Sequence, residues 1–400
     1  MNISNITEKG KCTGCRACEQ VCRVHAITTD YNAFGFIEPK ISSACTQCGL
    51  CLSVCQAQSI KPDMFHRIDH CYIAYAKNKK MAAASASGGA FIVIAYNFLS
   101  AYYGTVYGCC MDEQFNVFHI GVSNTNDLKR LQGSKYVQSN TKASYTLVAK
   151  ELQQGKHVLY TGTPCQISGL KMFLGREWDT LFTIDLVCHG VPSQFAFEKY
   201  INYLKTITGK QLQSFRFRNR NAFDASGYLI KIKYRNGKTL KYNALKDLYF
   251  RLFSKSLSLN SACYQCQYAQ DKRIGDVTIG DSAAAGVLGL YRYDPKSSIM
   301  INTNKGEKIW NLIKDDLIYT EIDKSIEVRA NKQLSFPVEY SKERETVCKL
   351  MVNGKFDELE KRYPMSDKHI SIHTISAKIP MFIKRPIYFV LSSMRNLAKM

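Results

Sequence analysis

The sequence predicts two unlike parts: an N-terminal module of duplicated cysteine loops over residues 1–60, and a larger α/β body with a central mixed sheet. Three observations predict this. Eight of the sixteen cysteines fall between residues 12 and 55, in two sets of identical spacing. Short β-rich runs ending in Gly, Pro or Cys recur between residues 157 and 281, the pattern of strands that feed loops in an open α/β sheet. The 400 residues are 46% hydrophobic and 22% charged, which excludes a mainly disordered chain and a single small stapled domain.

So many cysteines imply either a secreted disulfide framework or metal binding in a reducing compartment. The start, Met1–Gly10, has no basic segment followed by an apolar one. No uncharged apolar run approaches the roughly 20 residues of a membrane span. The expectation is a cytoplasmic protein whose cysteines are thiolates on metal.

Cys12, Cys15, Cys18 and Cys22 form C-x2-C-x2-C-x3-C, and Cys45, Cys48, Cys51 and Cys55 repeat it 33 residues later. A fixed period marks a duplicated unit. Three close cysteines on a tight loop can cap three irons of a 4Fe–4S cube, and the fourth of each set reaches the other cube. This gives Cys12, Cys15, Cys18 and Cys55 to one cluster and Cys45, Cys48, Cys51 and Cys22 to the other. Gly14 and Gly49 lie where the backbone must turn tightly. The stretch resembles the bacterial two-cluster ferredoxin, except that Arg23 and Gln56 stand where that family has proline. Two zinc knots are the competing reading, although zinc rarely uses this rhythm.

Residues 61–84 read as a connector. Ser85-Ala-Ser-Gly-Gly-Ala then opens an apolar helix; its glycine-rich start suits either a phosphate or a plain buried cap. Strand-like runs are read at 157–165, 181–190 and 276–281. Cys165 and Cys188 fall toward the ends of the first two, where α/β sheets bind ligands. With the C-x2-C pair Cys263 and Cys266 they make four, the number a third cluster needs. Free thiols beside a small zinc or redox pair are the alternative. Cys71, Cys109, Cys110 and Cys348 lack such partners and read as buried thiols.

The formal net charge is +21. Residues 201–255 carry 13 basic and 2 acidic side chains. Arg216, Arg218 and Arg220 alternate with aromatic residues or asparagine, which in a regular strand would set three guanidiniums in one row. Such a face suits an anionic small-molecule substrate or an acidic electron donor, with a solvated basic strand as the bland alternative. No nucleic-acid-binding signature is visible, so nucleic acid is not an expected partner. The basic, apolar tail Lys378–Met400 fits either a helix packed on the body or peripheral contact with an anionic membrane.

Taken together, the chain resembles the coenzyme F420 hydrogenase/dehydrogenase beta-subunit family, in its bacterial form with an N-terminal ferredoxin domain. The motifs that carry this are Ser85–Ala90, Gly133–Ser139, Thr161–Gln166, Asp185–Gly190, and Cys263-x2-Cys266 followed by Gly280-Asp281. The resemblance implies a beta-subunit-like body in two regions, 85–165 and 166–340, and a basic helical tail, 341–400. It implies a flavoprotein binding FAD, with Ser87, Gly88, Gly89, Ser134, Lys135, Tyr136, Thr161 and Gly162 at the flavin. It further implies a 4Fe–4S cluster on Cys165, Cys188, Cys263 and Cys266. Electrons would pass from a ferredoxin-type or other acidic donor through the clusters to the flavin and on to an anionic or conjugated substrate. His189 and Lys135 are the candidate proton donors. A role in polysaccharide biosynthesis fits the bacterial relatives; the alternative is an electron-transfer subunit or adapter without catalysis of its own. Relatives follow Gly-Asp with an aromatic pair, but here Ser282-Ala283-Ala284 follows Asp281.

Overall fold

The computed structural model describes residues 3–60, 62–219, 228–288, 290 and 296–365. Between the two cysteine loops, β1 (Ile27–Tyr31) and β2 (Ile37–Ile41) form an antiparallel ribbon. A lone two-stranded ribbon is marginal in water, and this one leans on the body. The Gln138 side chain accepts from the Ile37 amide and donates to the Thr13 carbonyl.

The central sheet begins with β3 (His70–Ala76), β4 (Thr105–Met111), β5 (Val117–Val122), β6 (Val158–Gly162) and β7 (Leu181–Leu186). The chain then leaves to build a separate antiparallel sheet from β8 (Leu212–Asn219), β9 (Leu229–Tyr234) and β10 (Thr239–Asn243). It returns through β11 (Val277–Asp281), β12 (Ser297–Ile301) and β13 (Leu317–Glu321). The large sheet runs β13-β3-β12-β11-β7-β6-β4-β5. Its middle strands β11, β7, β6 and β4 are parallel, and the flanking strands are antiparallel. Helices on both faces make the middle strands apolar throughout: every residue of β6 is buried. One face packs helices Ala90–Tyr102 and Asn304–Ile313, and the other packs Ser144–Gln153 and Pro164–Leu174. Among the described residues, no helix is long and apolar enough to cross a membrane.

Three expectations change. The stretch 61–84 is not only a connector, because β3 lies inside it and pairs with both β12 and β13. Its run Cys-Tyr-Ile-Ala is buried on both faces and so lacks the alternation that marks a half-exposed strand. Nor is the cysteine module a bead on a linker. Ala17 and Val54 join the core of Ile167 and Leu170, and Thr141 Oγ1 donates to the Cys15 carbonyl. The third change concerns the arginine row. The β8–β9 register shifts between Arg216 and Asn219, and such an irregularity re-aims side chains. Arg216 stays exposed, whereas Arg218 is only 7% exposed and pairs with Asp281 at 2.6 Å. Arg220 and residues 366–400 lie outside the described residues. A different row exists instead. Arg216, Lys231 and Lys241 are direct cross-strand neighbours on β8, β9 and β10, so they share a face.

Removing residues 1–60 uncovers Ile167 and Leu170, each worth about 1.5–3 kcal/mol of burial, and strips the partner groups from Gln138 and Thr141. A chain starting at residue 62 should aggregate or melt well below the full chain, as followed by circular dichroism. An unchanged melting temperature would show that the module contributes nothing to the body's stability.

Candidate metal centre

Three neighbouring parallel strands, β6, β7 and β11, end on one edge of the sheet, and the cysteines of the body gather there. Thr163 caps the helix Pro164–Leu174 through a reciprocal box with Gln166, which fixes Cys165 in the first turn. Cys188 lies two residues past β7. Cys263 and Cys266 come from a short turn, Ser261–Gln265, capped by Asn260, whose side chain accepts from the Ala262 amide. All four line one cavity of about 150 Å³. A single water needs only about 10–15 Å³ by this measure, so the space suits a much larger group. Burial pushes the Cys165 thiol up to about 12 and the Cys188 thiol to about 11, and it raises Cys263 and Cys266 as well. Four thiolates crowded into this half-buried site need a compensating cation. A 4Fe–4S cube provides one, and the donor set fits it. Among the described residues, no three His, Cys, Asp or Glu side chains converge as a single bound ion requires.

The N-terminal loops build a second convergence. Cys12, Cys15, Cys18 and Cys55 line one smaller cavity, which joins three cysteines of the first set to the last of the second. Burial raises all four thiols, Cys15 and Cys55 to about 11. Gly14 takes φ +69° inside this loop, and its amide donates to Cys12 Sγ at 3.4 Å. Cys45, Cys48 and Cys51 surround Gly49, which takes φ +79°, and Cys22 packs with Cys51. Cys48 is exposed, and the Leu50 amide holds its thiol below the ordinary value.

The two cavities are adjacent. Thr13, Gln56 and Ala57 line both. Cys15 approaches the helix of Cys165 so closely that a Cβ on Gly169 would lie 3.0 Å from Cys15 Sγ. Gly169 is four residues after Cys165, on the same helix face. The cysteine of one set therefore abuts the helix that carries a cysteine of the other.

Residues 155–325 match the model for the C terminus of the coenzyme F420 hydrogenase/dehydrogenase beta subunit, and residues 11–59 match the 4Fe-4S dicluster domain. Residues 155–325 are thus similar to the C terminus of that beta subunit. The coenzyme F420-dependent sulfite reductase of Methanocaldococcus jannaschii is 27% identical over 242 residues, which are 58% of this chain and 35% of that protein. The present chain thus spans about a third of that relative. A chain from the F420-reducing [NiFe] hydrogenase complex of Methanosarcina barkeri superposes with a TM-score of 0.45 at 14% identity, covering 76% of this chain and 94% of that one.

The two proton-donor candidates, His189 and Lys135, both make internal contacts. His189 lines the four-cysteine cavity, yet Ser256 Oγ and Gln333 Nε2 each lie 3.1 Å from one ring nitrogen, and burial lowers its pKa. Lys135 donates to the carbonyls of Cys109, Leu131 and Gln132, which uses all three of its N–H bonds. The residues expected at a flavin do not form a free cradle. Gly88 is wedged so that a Cβ would lie 2.4 Å from the Ala74 carbonyl oxygen, and Gly89 takes φ +91° at the helix start. Ser87 Oγ donates to the Lys296 carbonyl. Tyr136 stacks on Phe253 at 4.6 Å, with Ser134 beside its hydroxyl. Thr161 has a buried hydroxyl without a hydrogen-bond partner, and the carbonyl of Thr161 lies 3.1 Å from His119 Nε2; Gly162 sits against Gln166. These contacts match the packing reading of the glycines, and no step through a flavin follows from them.

Sequence reasoning missed two charged residues. Glu327, fully buried, takes the Ser282 hydroxyl and the amides of Ala283 and Ala284. The space an aromatic pair would need is closed by this carboxylate and by the packing of Ala284 and Ala285 on Ile73. The other is Arg273, which lines the four-cysteine cavity and pairs with Asp185 at 2.6 Å. It was hidden in the polar run Asp271-Lys272-Arg273, which reads as solvent-facing.

Replacing Gly169 with Val adds branches where Cys15 already sits. The expected result is loss of about four irons from the N-terminal module, while Gly169→Ala keeps most of its iron; iron and sulfide analysis under anaerobic conditions checks this. Full iron content in Gly169→Val would mean that the contact is slack.

Proposed function

We propose that this chain is an iron–sulfur electron-transfer oxidoreductase in which three sets of cysteines form one path from an exposed loop to the body. The contact of Cys15 with Gly169, on the helix of Cys165, carries this reading. Bound 4Fe–4S clusters supply one-electron transfer. Cys22, Cys45, Cys48 and Cys51 would hold the outermost cluster, since Cys48 alone of the twelve ligands is exposed. Cys12, Cys15, Cys18 and Cys55 would hold the middle one, and Cys165, Cys188, Cys263 and Cys266 the inner one. Thr13, Gln56 and Ala57 lie between the last two sets. Phe336, 71% exposed, stands at the rim of the inner cavity.

Such a path can end in catalysis or in delivery to a partner. The internal bonding of Lys135 supports delivery, because its three N–H bonds are already used. A flavin as acceptor and a place in polysaccharide biosynthesis rest on the family resemblance. The absorbance spectrum of protein purified without air tests the first, since bound flavin adds its own bands to those of the clusters.

Two measurements test the path. The chain should contain about twelve irons, three cubes of four; about eight would mean that the inner set holds none. Cys165→Ser should then remove about four irons and leave the N-terminal eight in place.

The anionic partner, whether an acidic donor protein or a small acidic substrate, is proposed to dock on the row Arg216, Lys231 and Lys241. No carboxylate pairs with these three among the described residues. Like charges directly opposed in a sheet are destabilising, so an anion relieves the row. Changing all three to Gln should slow electron transfer with an acidic partner at low salt. The wild-type rate should fall as salt rises, while the melting temperature stays level or increases. A rate indifferent to both changes would leave a solvated basic sheet.

A further inference from the structure

Among the charged residues that no function has yet absorbed, Arg273 has the most constrained surroundings. It is 2% exposed, and it is among the largest fully buried side chains. Its guanidinium has five N–H bonds, and all five have acceptors. Nε donates to Thr278 Oγ1, Nη1 to the carbonyls of Tyr268 and Gln270, and Nη2 to Asp185 Oδ2 and the Leu186 carbonyl. No donor remains for a ligand. What this side chain offers the cavity it lines is a fixed charge.

Its counter-ion is set further back. Asp185 is fully buried, accepts also from Thr278 Oγ1, and does not line the cavity. Gly275 allows that depth, because a Cβ there would lie 2.9 Å from Asp185 Oδ1. The cation thus faces the cysteines and the anion stands behind it. The middle set is arranged differently. Arg16 is neutralised there by bidentate bonds to Glu19, and the half-buried carboxyl group of Glu38 lines the cavity.

Resting on the inner-cluster reading above, we infer that Arg273 is a positioning residue that raises the reduction potential of a cluster on Cys165, Cys188, Cys263 and Cys266. Reduction adds one electron, and therefore one negative charge, to that cluster, with the electron coming from the middle cluster, which is oxidised. A fixed cation at the wall stabilises the reduced form, and the low polarity of the site strengthens the effect. Such a shift would favour passage of an electron from a cluster on the middle set to one on the inner set.

The test uses the full chain with its clusters, titrated anaerobically and followed by electron paramagnetic resonance. The inner cluster's signal is the one lost in Cys188→Ser. Arg273→Gln should lower the midpoint of that signal enough to change its reduced-to-oxidised ratio about tenfold at a fixed potential, about 59 mV for one electron. Arg273→Lys should restore most of the shift, and the other two signals should stay in place. Because Arg273→Gln leaves Asp185 buried without its partner, the double variant Arg273→Gln, Asp185→Asn is titrated in parallel, and its shift should have the same sign. An unmoved inner midpoint in variants that keep twelve irons overturns the inference. So does loss of four irons from the double variant, which would make Arg273 a structural strap. A wild-type chain with only eight irons is a separate failure, that of the inner cluster itself.

Discussion

The whole arrangement depends on one close approach: a cysteine side chain from the N-terminal loops resting where a helix of the body has no side chain. Gly169 lets Cys15 reach the helix backbone. Other links join the module to the body. Gln20 receives the amides of Tyr145 and Thr146, Gln56 accepts from Tyr268 and Gln267, and Arg16 reaches Asn140. These are side chain–to–backbone and amide bonds of fixed geometry, not exposed ion pairs, and each anchors a residue within two positions of a cysteine. The module is thereby held in register with the sheet edge to which β6, β7 and β11 deliver the body's own cysteines.

The body also buries several carboxylates, each in a closed set of donors. Asp276 takes the amide and hydroxyl of Thr183 and the hydroxyl of Thr303. Asp247 takes the hydroxyls of Tyr200 and Tyr242 and the Phe250 amide. Asp185 and Arg273 complete each other. Removing one partner of such a pair costs about 3–5 kcal/mol, because the other is left charged and dry. Satisfied sets of this kind fix one conformation more sharply than apolar packing alone.

Much of this was legible in the sequence. The period of 33 residues and the rhythm of cysteines mark the module, and the structure groups Cys55 with Cys12, Cys15 and Cys18, as the duplicated-loop geometry requires. Strands β6, β7 and β11 were visible because each ends abruptly in Gly, Pro, Cys or Asp. β3 was not, since a short strand buried on both faces and rich in alanine carries no alternation. The arginine row failed for a related reason. Period two holds only while the register holds, and β8 breaks register after Arg216. Arg273 and Glu327 were illegible because burial of a charge depends on its partner, and Asp185 stands 88 positions away from Arg273.

The place of β3 has a consequence for how the protein is made. Ala74 pairs with Ser297 on one side and Tyr319 on the other, so the strand nearest the cysteine module waits for the last strands of the sheet. At about 5–20 residues per second of synthesis, that wait is on the order of tens of seconds. For most of it the thiols of residues 12–55 have been made, while the edge they pack against lacks Cys263, Cys266 and β11. A nascent chain in this condition exposes reactive sulfur and unpaired strand edges together. Cells that make it need iron–sulfur delivery and protection from oxidants timed to the completion of the sheet, not to the appearance of the first cysteines.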